Sequence, residues 1–180
     1  MTLFPDLVPD VRPWDRPAYT KVAYVTPCGL YRPWLTRWWD DRPCLAVLGV
    51  NPSDADAEID DPTIKRTVDF ADLAGFGSLV MLNSNQFRSP KVSALAKAAD
   101  PVGPNADTVL LEWAAKADRI VIAWGPPTKV RKALRPRFAA VLDLLAQRDL
   151  YVLRLTPGGH PEHPVRLPRA CRPVLWRRRA

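Results

Sequence analysis

Both histidines of the chain, His160 and His163, fall in one loop, Thr156-Pro157-Gly158-Gly159-His160-Pro161-Glu162-His163-Pro164. An imidazole beside a flexible Gly-Gly can donate a hydrogen bond to a departing group or hold a phosphate, the alternative being a plain pair of surface loop residues. Two histidines are too few for a typical zinc site. Earlier in the chain, Leu48-Gly49-Val50-Asn51-Pro52-Ser53 ends an apolar run in a sharp loop. Gly49 permits close backbone approach and Pro52 fixes the turn, while Asn51 either builds an Asx turn or offers its amide to a ligand. Asn83 closes a second apolar run with the same ambiguity. A primary amide carries both a donor and an acceptor, which suits it to reading the edge of a nucleobase.

An acidic cluster, Asp54, Asp56, Glu58, Asp60 and Asp61, follows Ser53. The D-x-D-x-E spacing is that of a calcium loop, but Ile59 stands where such a loop needs glycine, so an EF-hand is rejected. Acids gathered at a helix N-terminus are favoured by its dipole, which accounts for part of the cluster. Asp60 and Asp61 are the two left to face a pocket and polarise a water.

These groups need a scaffold. Cys44–Val50, Ser78–Leu82, Arg119–Trp124 and Leu150–Leu155 are short apolar runs without strict alternation, as expected of strands covered on both faces. Helical patterns lie between them. The first starts at Asp61-Pro62-Thr63, with Asp61 as N-cap, Ile64, Val68 and Ala71 on one face, and Gly75 closing it. The others run over about 105–116 and about 128–147, the last interrupted at Pro136. Strands alternating with helices predict an α/β protein, a three-layer α/β/α sandwich around a central four-stranded, mostly parallel sheet. Residues 1–43 are expected to form an irregular N-terminal wrap with one short hairpin, 44–168 the core and 169–180 a basic tail, all in a single domain of residues 1–180.

In such sheets ligands bind beyond the carboxyl ends of the strands. The four predicted ends carry Gly49 to Ser53, Asn83-Ser84-Asn85, Trp124-Gly125-Pro126 and the histidine loop, all polar, small or rigid. Gly49, Pro52, Ser53, Asn83, Trp124 and His163 are therefore the expected substrate contacts. Asn51, Asp60, Asp61 and His160 are the expected catalytic groups.

With 47% hydrophobic residues, 180 residues suffice for one sizeable core. No apolar run is long enough to span a membrane, and the first residues carry neither a basic nor an apolar leader segment, so a cytoplasmic protein is expected. Cys28, Cys44 and Cys171 are odd in number, widely spaced and without CxxC, which predicts free thiols, no metal and no cofactor. A net charge of +7 favours polyanionic partners. The five arginines between Arg169 and Arg179 either contact phosphate or form a solvated end. The expected partner is DNA, bound by a monomer, with Lys129, Arg131, Arg166 and Arg169 as contacts.

Together these residues resemble the uracil-DNA glycosylase superfamily. Its strand followed by G-x-[DN]-P is matched by Gly49-Val50-Asn51-Pro52, its strand ending in a base-reading Asn by Leu82-Asn83, its strand ending in Trp-Gly by Trp124-Gly125, and its late His-Pro by His160-Pro161 or His163-Pro164. The order and placement match over roughly residues 44 to 168. More closely, N-P-S-x-A-D-x-x-x-D-D-P-T with D-P-V-G-P, A-W-G and H-P resembles a bacterial and phage family known only as domain-of-unknown-function 1643, over almost the whole chain. The superfamily resemblance implies that Asn51 holds the attacking water, as in the mismatch-specific branch with G-I-N-P. It further implies that Asn83 binds a flipped base, that a loop histidine, His160 before His163, stabilises the leaving base, and that Arg166 or Arg169 grips the backbone. The G-Q-D-P-Y-H extension, the S-P or S-G after His-Pro and the iron–sulfur cysteines of other branches are absent from this sequence. The activity implied is a DNA glycosylase acting on a modified or mismatched pyrimidine, with defence against phage carrying modified DNA as a role open to it. The rival expectations are a nucleoside or nucleotide N-glycoside hydrolase of the same fold and a DNA-binding module without catalysis.

Overall fold

The computed structural model describes residues 17–177. Residues 1–16 of the expected wrap and 178–180 of the expected tail lie outside the described residues.

Four strands, β3 (Cys44–Gly49), β4 (Ser78–Asn83), β5 (Arg119–Ile122) and β6 (Leu150–Val152), run parallel to their neighbours in the spatial order β4-β3-β5-β6. Their side chains alternate between two cores. Ala46, Leu48, Val80, Leu82, Ile120 and Ile122 pack with helices α2 (Ala106–Lys116) and α3 (Pro136–Leu144). Leu45, Val47, Leu79, Met81 and Val121 pack with α1 (Pro62–Leu73). With both faces covered, apolar residues are needed at successive positions, which is why these strands read as continuous runs.

The expected four-stranded sheet is corrected: the sheet has seven strands and is mixed. On one side β2 (Trp34–Trp38) pairs antiparallel with β4, and β1 (Thr20–Tyr24) pairs antiparallel with β2. On the other, β7 (Val174–Leu175) pairs antiparallel with β6. Residues 20–38 and 174–175, assigned to a wrap and a tail, thus cover sheet edges whose backbone groups would otherwise lack partners. The pattern of β2 hid it, because Trp34-Leu35-Thr36-Arg37-Trp38 places a wholly buried arginine on the same side as Leu35.

Helix α1 begins as its sequence dictates: Asp61 is extended, its carboxylate accepts from the Ile64 N–H at 2.8 Å, and Pro62 occupies the first turn. The helix expected over 128–147 is corrected to two 3₁₀ turns, Pro127–Lys129 and Lys132–Leu134, followed by α3. Pro136 does not kink this helix but starts it, since a proline lacks only an N–H that the first turn leaves unused.

The chain leaves β3 toward α1 and β4 on one side, then returns past β3 to β5 on the other. The loops after β3 and β5 consequently diverge to opposite faces. This opens a crevice at the carboxyl ends of the central strands.

Candidate active site

A cavity of about 340 Å³ occupies that crevice. Gly49 at the end of β3, Asn51 and Ser53 after it, Asn83 at the end of β4, Trp124 and Gly125 after β5, Asp61 and Thr63 at the start of α1, Lys129, His163 and Arg32 all line it. The volume suits a small organic ligand rather than a water or an ion.

Of the two side-chain amides that line the cavity, Asn83 is the more deeply buried. It is 6% exposed, and its Nδ2 is buried without a hydrogen-bond partner. Gly49 is what allows it to sit there: a Cβ at position 49 would lie 2.8 Å from Asn83 Oδ1 and 3.1 Å from Met81 Cε, closer than atoms pack. A glycine beside an amide on the neighbouring strand, in register with it, thus leaves room for the carboxamide to face the cavity.

Asn51 does not build an Asx turn with its own downstream N–H groups. Its Nδ2 donates to the carbonyls of Pro52 at 2.9 Å and Ser89 at 2.8 Å, and the Ser89 N–H returns to Pro52 O at 2.8 Å. Both amide hydrogens are thereby spent, leaving Oδ1 as the acceptor available to the cavity. The same bonds tie the loop after β3 to the loop after β4, which Ser84 Oγ reinforces by donating to Val50 O at 3.0 Å.

The adjacent acids Asp60 and Asp61 separate. Asp60 takes Arg37 Nε at 2.8 Å and Nη2 at 2.6 Å on Oδ1, and Tyr19 Oη at 2.8 Å and Lys21 Nζ at 3.2 Å on Oδ2. Burial works against its charge, but these donors outweigh it and hold the carboxyl below its ordinary range. Asp60 does not line the cavity, and its oxygens are already engaged. Asp61 does line it, with one oxygen capping α1.

The histidine loop also separates its two members. His163 lines the cavity, whereas His160, slightly preferred on resemblance, lies outside the lining and packs its ring over Gly158. His163 Nδ1 accepts the Val165 N–H at 3.4 Å, which puts the ring proton on Nε2. Burial, then Lys129, depress its pKa, so the ring is neutral at pH 7. It faces Gly125, whose φ of +77° turns the chain after β5 and whose Cβ position lies 3.8 Å from His163 Cβ. Trp124 packs against Phe138 with ring centroids 4.7 Å apart and forms an apolar part of the wall.

Of the remaining expected residues, Pro52 is buried beside the lining and Lys129 stands exposed at its rim. Arg131 and Arg166 are exposed but do not line the cavity, and Arg169 lies 3.5 Å from buried Asp69. The sequence reading missed Arg32, which is 2% exposed. It lies before β2, where Tyr31 bridges Phe87 and the Arg32 N–H bonds Gln86 O at 3.0 Å. Nothing in Leu30-Tyr31-Arg32-Pro33 distinguishes this arginine from a surface one. Burial pushes its pKa down to about 10, which still leaves it charged at neutral pH.

A family model described as "Protein of unknown function (DUF1643)" matches residues 32–165. The chain belongs to this family. The match begins at Arg32 and ends just past His163, so it takes in the whole lining of the cavity. No curated protein and no solved structure matches the chain. Among the described residues no helix is long and apolar enough to cross a membrane, and no group of three or more His, Cys, Asp or Glu could hold a metal ion.

Proposed function

We propose that this protein is a DNA glycosylase that hydrolyses the N-glycosidic bond of a flipped, modified or mismatched pyrimidine. The observation that carries the reading is the buried, unpartnered Asn83 amide beside the Asn51 carbonyl, both at the carboxyl end of a parallel sheet. An orphaned amide hydrogen costs free energy unless a ligand completes it, and a base edge supplies the missing acceptor.

The chemistry follows from the groups at hand. As the bond from C1′ to the base nitrogen breaks, its electron pair goes to the base and the sugar becomes oxocarbenium-like. His163 Nε2–H donates to the base as negative charge develops, a neutral electrophile in a partly enclosed site. Asn51 Oδ1 accepts a hydrogen bond from the attacking water. The water oxygen bonds C1′, and its proton passes to the free oxygen of Asp61, then to solvent. The products are the free base, protonated by solvent, and an abasic sugar. Flipping the base out of a duplex costs a few kcal/mol, least at a mismatch. Exposed Lys129 at the rim supplies a phosphate contact, and Arg131 and Arg166, exposed outside the lining, supply further positive charge for a nucleic-acid backbone.

The test is incubation with oligonucleotides carrying uracil, mismatched thymine, or hydroxymethylated or glucosylated pyrimidines, and with modified phage DNA, reading alkali-labile sites. Release from the modified phage bases would extend the reading to defence. Absence of abasic sites from every substrate overturns it. A second reading, hydrolysis of free nucleotides, is favoured by the buried charge of Arg32, because that charge lies inside the cavity rather than along a surface track.

A further inference from the structure

Arg32 and Arg37 are both buried, yet only one is neutralised. Arg37 makes two bonds to Asp60. Arg32 donates Nη1 to the carbonyl of Ala55, its Nε is buried without a partner, and among the described residues no carboxylate lies within ion-pair distance of it. Asp61 and Asp56 act on it only through space, and Arg88 and Arg37 oppose them. Both acids are already engaged, Asp56 by the N–H groups of Glu58 and Ile59 and Asp61 by that of Ile64. A buried charge left this way is costly, because desolvation removes hydration that no fixed counter-ion replaces. Arg32 nonetheless opens on the cavity, as does Lys129 at its rim.

We infer that the missing counter-ion is the phosphate of a nucleotide, seated in the cavity with the base and bound by the Arg32 guanidinium, with Lys129 assisting from the rim. The planar fork of arginine matches two phosphoryl oxygens, which a lysine at the same place would not. The N-terminus of α1 adds little, since Asp61 already occupies it. The inference rests on the nucleotide reading above for the identity of the ligand, but not on catalysis. The phosphate belongs either to a free mononucleotide or to the flipped nucleotide of a strand.

The experiment measures binding to the full chain, by calorimetry and thermal unfolding, of inorganic phosphate, pyrimidine 2′-deoxynucleoside 5′-monophosphates, the matching nucleosides, and a short single-stranded oligonucleotide. Monophosphates should bind about 10- to 100-fold more tightly than nucleosides, the range expected of a charge-assisted hydrogen bond, with inorganic phosphate competing. In Arg32→Met that advantage should vanish, while the ligand-free variant unfolds at the same temperature as the wild type or a higher one. Arg32→Lys should retain only part of the advantage, and it serves if the methionine variant does not fold. Tighter binding of the mononucleotide than of the oligonucleotide marks a free nucleotide as the source, and the reverse order marks a strand. Equal binding of nucleosides and monophosphates, or an undiminished phosphate advantage in folded Arg32→Met or Arg32→Lys, overturns the inference. Phosphate binding without release of any base would sink the glycosylase and leave the phosphate site standing. Base release without phosphate binding would do the opposite.

Discussion

Asp60 and Asp61 are consecutive residues that serve two unlike regions. Asp60 turns to the β1–β2 side, where Arg37, Tyr19 and Lys21 engage both its oxygens. Asp61 turns to the cavity, where Arg32 and Asn83 keep buried nitrogens without partners. One region has closed its electrostatics within the chain; the other has left them for something outside it. Buried polar groups are expected to be satisfied, and although buried atoms of Trp39, Asn85 and Gln86 also lack partners, Arg32 and Asn83 combine that lack with a place in the cavity lining, so the closed cluster is read as structure and the open one as a site. The contrast assigns roles to residues that composition alone treats as equivalent.

The sharpest way to break this contrast is at its closed end. Asp60→Asn leaves the fully buried Arg37 guanidinium facing a neutral amide, and should cost about 3–5 kcal/mol in urea unfolding. Loss of base release with unchanged stability would instead move Asp60 into the site. At the open end the pattern should invert. Asn83→Ala should lower base release about 10²- to 10³-fold while stability stays within about 1 kcal/mol, because the amide nitrogen makes no bond in the folded protein.

Gly49→Ala sharpens the boundary between the two kinds of effect. The new methyl meets Asn83 Oδ1 and Met81 Cε, so it should cost about 1–3 kcal/mol and displace the amide, reducing base release as well. A variant that is destabilised but fully active would show that the position of Asn83 is immaterial. The smallest effect concerns His163. Its folded-state pKa lies below the ordinary value of about 6.5, so below that pH the unfolded chain binds more protons. Its contribution to stability is present above about pH 6.5 and is lost as pH falls through the folded value. His163→Gln should flatten that part of the stability profile, and an unchanged slope would show that the ring is not held neutral.

Much of the site was legible because backbone chemistry marks strand ends. Gly49, Pro52 and the amides of Asn51 and Asn83 announce loops at which apolar runs stop, and Asp61-Pro62 announces a helix. The three-strand error came from residues whose pattern is set by distant partners. Arg37 in β2 is tolerable only because Asp60 neutralises it, and β7 is two residues long. The choice between His160 and His163 was illegible for a related reason: only Pro161 and Glu162 separate the two histidines, and only the fold, which sets His163 against Gly125, decides which one reaches the cavity.

By itself, the sequence determined the parallel core, its α/β class and the loops that gather at the carboxyl ends, since these follow from local periodicity and turn chemistry. Tertiary structure alone decided which of two adjacent acids, two neighbouring histidines and two buried arginines faces the cavity. Local pattern places a residue on an element, but whether its polar atoms find partners depends on groups tens of residues away, and that accounting is what separates structure from site.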